Sequence, residues 1–107
     1  MSTEPGHGLY EKTYQKAVAV ALKKRGLNFE EQLYVPIFFE GEKVGINYFD
    51  YLVEGKVVVE LKKGDIFVKA QIDQVYNYLC AKDLRLGILA YFGPQRLHYK
   101  TVLNVRS

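Results

Sequence analysis

Asp50-Tyr51-Leu52-Val53-Glu54-Gly55-Lys56-Val57-Val58-Val59-Glu60-Leu61-Lys62 is the stretch on which the fold turns. From Ile46 to Val53 and from Lys56 to Leu61 most residues are β-branched, aliphatic or aromatic, which is strand composition, and Glu54-Gly55 between them is turn chemistry. Asp50, Glu60 and Lys62 interrupt this apolar content, and a charge in a buried strand is costly without a partner or a metal. Side chains alternate along a strand, so Glu60 and Lys62 share one face while Val57, Val59 and Leu61 share the other. The side taken by Asp50 depends on the turn. A two-residue turn at Glu54-Gly55 pairs Val53 with Lys56 and leaves the two carboxylates on opposite faces. A three-residue loop changes the parity and brings Asp50 to the face of Glu60, and Gly55 suits it, because the last residue of such a loop takes a positive φ. The expectation is the three-residue loop, with two carboxylates and an ammonium on one face.

Two readings of that cluster stand side by side. Carboxylate and carbonyl oxygens suit a hard divalent cation such as Mg²⁺, which keeps several waters. A lysine beside a metal-bound water helps to orient or deprotonate it while the metal stabilises charge on a phosphoryl oxygen. The alternative is a buried Asp/Glu–Lys ion pair with no further role.

With 107 residues the chain has room for one core and one domain. The hydrophobic fraction of 49% and charged fraction of 25% are those of a globular protein. Nine Tyr and six Phe make it aromatic-rich, and tyrosine fills a core while keeping a hydroxyl for a polar site. A net charge of +3 permits an anionic partner without requiring one. The single Cys80 excludes an intramolecular disulfide, fits a reducing cytoplasm and reads as a small core residue. No apolar run approaches the roughly 20 residues of a membrane span, so no membrane partner is expected. His7 and His98 lack metal-ligand spacing, and there is no glycine-rich phosphate loop for ATP-driven work.

Residues 1–7, with Pro5 and Gly6, read as a flexible lead-in, and residues 8–107 as the domain. From about Gly8 to Arg25 the spacing predicts a helix, with Tyr10, Tyr14, Ala17, Val18, Ala21 and Leu22 on one stripe and Gly26 closing it. Glu11 sits at the edge of that stripe, aimed either toward a cleft or, as a boundary glutamate, outward. Leu27 to Glu40 reads as a strand, and Pro36 within it marks an edge strand or a bulge. After Lys63-Gly64-Asp65 a second helix is expected from about Ile66 to Ala81, with Ile72, Val75, Tyr76 and Leu79 apolar. Gln71, Gln74 and Tyr78 form a neighbouring polar row, either a solvated face or a line of hydrogen-bonding groups. Leu86 to Phe92 reads as a central strand and Leu97 to Val105 as the last one. The order helix, three strands, helix, two strands is an α/β sandwich with a mixed sheet.

That order, with Asp on one strand and Glu-x-Lys on the next, resembles the PD-(D/E)XK nuclease superfamily and its restriction-endonuclease-like core. Within it, Gly8-Leu9-Tyr10-Glu11-Lys12-Thr13-Tyr14 matches the G-x-x-E-x-x-Y signature of the GxxExxY family. Lys24 to Leu27, Tyr48 to Val53, Val58 to Lys62, Gln74 to Leu79 and Leu84 to Leu89 match further blocks in order, so the resemblance runs from Gly6 to about Val105. It implies that Asp50 and Glu60 are metal carboxylates, with the Leu61 carbonyl a further ligand and Lys62 acting on the attacking water or the phosphate. It also implies that Glu11 lies beside the metals, and that Gln74 and Tyr78 form a Q-x-x-x-Y helix motif near the metal site or the DNA backbone. The implied activity is hydrolysis of DNA phosphodiester bonds with Mg²⁺, for which Mn²⁺ substitutes.

The chain departs from the family in three places. Tyr48 stands where relatives carry an arginine two residues before the aspartate, Gln71 stands where many have histidine, and a helix upstream of the signature is absent. A different class of function is therefore also carried forward: a nucleic-acid-binding or assembly module that keeps the fold without the chemistry. So small a chain offers limited surface for specific DNA recognition, which favours action as a homodimer or within a larger complex.

Overall fold

Among the described residues two helices and five strands follow one another as α1 (His7–Lys24), β1 (Phe29–Phe39), β2 (Glu42–Val53), β3 (Val57–Lys63), α2 (Lys69–Lys82), β4 (Leu86–Phe92) and β5 (Leu97–Leu103). The computed structural model describes residues 7–64, 68–93 and 97–105, with side chains in α1 from residue 12 onward. All of the expected lead-in except His7, and the expected helix start at Ile66, lie outside the described residues. The strands form one sheet in the order β1-β2-β3-β4-β5. Among these strands β3 and β4 run parallel, and α2 is the crossover that a parallel pair requires. The remaining pairs are antiparallel, so the sheet is mixed.

Local chemistry sets the element ends. Gly26 closes α1 at φ +70, with its own N–H on the Lys23 carbonyl and the Leu27 N–H on the Leu22 carbonyl, both at 3.0 Å. Asp83 takes the same left-handed role after α2, and the Leu84 N–H returns to the Leu79 carbonyl at 2.8 Å. Pro36 lies on edge strand β1, one residue before the register shift at Ile37/Phe38.

Val58, Leu79 and Leu89 are fully buried and Val75 nearly so, forming the core between the sheet and α2. Gly87 lies opposite Val58 in the register, and a Cβ there would sit 2.6 Å from Val75 Cγ1, so only glycine lets α2 approach this closely. Truncating Leu79 or Leu89 to alanine removes about 2–5 kcal/mol at such sites. Adjacent residues of β4 locate the two helices on opposite faces. The Tyr91 hydroxyl donates to Gln71 of α2, while the Phe92 ring stacks on Tyr14 of α1 at 4.2 Å.

The β2–β3 connection is the three-residue loop Glu54-Gly55-Lys56, closed by the Lys56 N–H on the Val53 carbonyl at 2.9 Å. Gly55 is its middle residue rather than its last, and both Glu54 and Gly55 have positive φ, 55° and 65°. Pairing Val53 with Val57 places Asp50 level with Glu60. Strand alternation breaks at this level. Phe49, Asp50 and Tyr51 are all buried, yet the Phe49 ring meets Tyr78 of α2 while the Tyr51 hydroxyl donates to the Gln15 carbonyl of α1. On the neighbouring strand Gln32, between the pairs Glu31↔Tyr51 and Leu33↔Phe49, has φ 57°. Regular β2–β3 pairing spans only Tyr51↔Val59, Leu52↔Val58 and Val53↔Val57.

Candidate active site

Where the regular ladder stops, two carboxylates take over its hydrogen bonds. The Asp50 N–H donates to Glu60 Oε1 at 3.1 Å, and the Leu61 N–H donates to Asp50 Oδ2 at 2.7 Å. Asp50 and Glu60 are 6% and 4% exposed, and burial at that level requires such partners. The second oxygen of each is also engaged. Gln15 Nε2 donates to Asp50 Oδ1 at 2.7 Å, and Lys62 Nζ lies 3.3 Å from Glu60 Oε2. Gln15 is itself held by its carbonyl, which accepts the Tyr51 hydroxyl.

These groups line a cavity of about 220 Å³ with Gln32, Asn47, Tyr48, Leu61 and Phe92. Burial first, and then the adjacent Asp50 carboxyl, push the Glu60 pKa from 4.5 up to about 8, against the opposing pull of the Lys62 ammonium. Burial, with Glu31 and Asp50 adding to it, pushes Tyr51 up to about 12, so its hydroxyl keeps the proton it donates.

Asp50, Glu60, Leu61 and Lys62 thus line one pocket. The Glu11 side chain lies outside the described residues. Gln74 and Tyr78 are elsewhere: they line a second, larger cavity of about 1180 Å³ between α2 and β1, and neither lines the carboxylate pocket. Gln74 is one step removed, since its Oε1 accepts from Asn47 Nδ2 at 3.2 Å. Tyr78 packs on Phe49 with Lys82 Nζ 6.0 Å from its ring centre, and burial raises its pKa, with Glu30 adding to the rise. Five pocket residues had no forecast role: Gln15, Gln32, Asn47, Tyr48 and Phe92. Gln15 carried a legible signal, because it stands one helical turn after Glu11.

The donor set fits a hard divalent cation. It is all oxygen, carboxylate oxygens carry more lone pairs than the contacts described above use, and a raised Glu60 pKa marks a site whose proton a cation can replace. Among the described residues no third His, Cys, Asp or Glu joins the pair, which suits an ion that keeps several waters.

A model of the PD-(D/E)XK nuclease superfamily matches residues 1–102. The chain belongs to that superfamily. No curated protein matches it in sequence. Among solved structures, this PD-(D/E)XK domain is similar to SSO0001, with a TM-score of 0.64 and 17% identity over 91% of this chain and 51% of that one. It is also similar to Hjc of Archaeoglobus fulgidus, a Holliday junction resolvase, with a TM-score of 0.54 and 14% identity over 85% of this chain and 76% of that one. The chain spans about half the length of SSO0001. The restriction-endonuclease-like fold expected from the sequence is therefore the one observed, and membership supports a nuclease. PD-(D/E)XK nucleases are generally divalent-metal dependent. Among the described residues of this PD-(D/E)XK chain, no helix is long and apolar enough to cross a membrane.

Proposed function

We propose that the chain is a divalent-metal-dependent nuclease of the GxxExxY type that hydrolyses DNA phosphodiester bonds in the cytoplasm. The reading is carried by the meeting of Asp50 and Glu60 in one pocket with the Lys62 ammonium 3.3 Å from Glu60. DNA as substrate is supported by the Holliday junction resolvase among its structural neighbours. Asp50, Glu60 and the Leu61 carbonyl would hold Mg²⁺ or Mn²⁺, with Glu11 beside them. Bound there, the cation supplies charge stabilisation at the phosphoryl oxygens.

The chain's own groups do the rest. Gln15 fixes one Asp50 oxygen and the Leu61 N–H the other, which leaves the aspartate a single orientation toward the pocket. Lys62, less buried than its partner, donates to the attacking water or to the phosphate. Gln74 accepts from Asn47 on the pocket wall, and Tyr78 packs on Phe49 of the strand that carries Asp50.

The test is nicking of DNA by the pure chain in Mg²⁺ or Mn²⁺. Asp50→Ala and Lys62→Ala are expected to lower the rate by about a hundredfold or more, and unchanged rates remove both residues from the mechanism. The reading as a binding or assembly module, as a homodimer or within a larger complex, draws on the strand-joining hydrogen bonds of the two acids, which would be kept without chemistry. Binding without metal uptake or cleavage supports it.

A further inference from the structure

Tyr48 lines the carboxylate pocket, yet 49% of its surface is exposed, more than a ring serving only the core would leave. It stands two residues before Asp50, about 7 Å along the strand. Directly across the hairpin lies Tyr34, also 49% exposed, with its ring 6.1 Å from that of Tyr48 at 70°. Lys43 extends the row, its Nζ 5.5 Å from the Tyr34 ring centre. An aromatic step opens from the pocket, continues to a second ring and ends at a cation.

We infer that Tyr48 and Tyr34, with Lys43, form a stacking platform for unpaired nucleotides beside the pocket that takes the scissile phosphate, so that the substrate carries a single-stranded segment next to the scissile bond. The inference rests on the nuclease reading and narrows its substrate class. Bases in a duplex hide their faces in the stack, whereas unpaired bases offer them to aromatic side chains, and a nearby ammonium meets the phosphate between them. The acidic hairpin tip, Glu40 and Glu42, repels phosphate and bounds the path at Lys43. A cross-strand tyrosine pair also steadies a hairpin. That role alone gives no preference between single-stranded and duplex DNA, and this separates the two accounts.

The chain has no tryptophan, so Tyr48→Trp installs one reporter at the platform. In chelator, short oligothymidine is expected to quench its emission, and duplex of equal length is not. On labelled oligothymidine, Tyr48→Leu weakens binding about tenfold while Tyr48→Phe stays within about twofold of the parent, because only the ring stacks. Lys43→Gln flattens the slope of log affinity against log salt by about 0.7, one phosphate contact on a single strand. Equal quenching by duplex, no quenching by oligothymidine, or unchanged affinity in Tyr48→Leu overturns the platform. So does emission that changes with protein concentration alone, alongside a dimer in sedimentation, which assigns the rings to a second copy of the chain. Nicking by the parent is scored separately. Quenching without cleavage in any metal upholds the platform and removes the nuclease, and cleavage without quenching does the reverse.

Discussion

Both helices turn glutamines toward the sheet, but only one of them reaches the acids. Gln15 of α1 donates to Asp50, whereas Gln71 and Gln74 of α2 meet Tyr91 and Asn47. The faces differ in kind. Against α2 the sheet presents Val58, Gly87 and Leu89 and builds the core. On the α1 side the sheet presents Asp50 and the Tyr51 hydroxyl, and the helix contributes a polar side chain and a carbonyl as well as packing. One helix is mainly a lid on apolar surface, and the other is part of the site. A helix stripe read from periodicity gives the direction of a side chain relative to its own axis. It carries no information on which face of the sheet that helix will cover.

The sharpest way to break this contrast is to truncate the two glutamines in turn. Gln15→Ala is expected to lower nicking about 10- to 100-fold, as loss of a group that orients a metal ligand does, while Gln74→Ala stays within about twofold. Equal losses in DNA-nicking assays would put both helices at the site. Next comes packing on the α2 side. Gly87→Ala forces Val75 away and is expected to destabilise the fold by about 1–3 kcal/mol in denaturant titrations, with the activity of the folded fraction unchanged.

The third outcome concerns acid–base balance at the paired acids. Glu60 binds its proton more tightly in the folded chain than unfolded, at about 8 against 4.5. Its contribution to stability is therefore complete below about pH 4.5 and is lost as pH rises through about 8. In chelator, stability is expected to fall across that window by up to about 1.4 kcal/mol per pH unit, and Glu60→Gln should remove that dependence. Divalent cation bound at pH 7 displaces the proton, which appears as a buffer-dependent heat in titration calorimetry and fades at pH 9.

Much of this molecule was legible in its residues. Strand composition, Pro36 at an edge, Gly26 at a helix end and the parity of the Glu54-Gly55-Lys56 loop together put Asp50 and Glu60 side by side. Gln74 and Tyr78 were not, because their row points to a groove whose other wall is β1, distant in sequence. Gln32 and Asn47 were hidden for a related reason. The local reversal at Gln32 and the exchange of faces around Asp50 are tertiary events that strand alternation does not encode.

The exchange of hydrogen bonds between Asp50 and Glu60 and the opposite strands makes the acids a suture as well as a reagent. A lineage that abandoned cleavage would still need acceptors at both positions to keep its sheet closed. Selection for folding alone is then enough to preserve a pair of acids that looks chemical, and Lys62, whose side chain meets Glu60 of its own strand, is the position free to drift first.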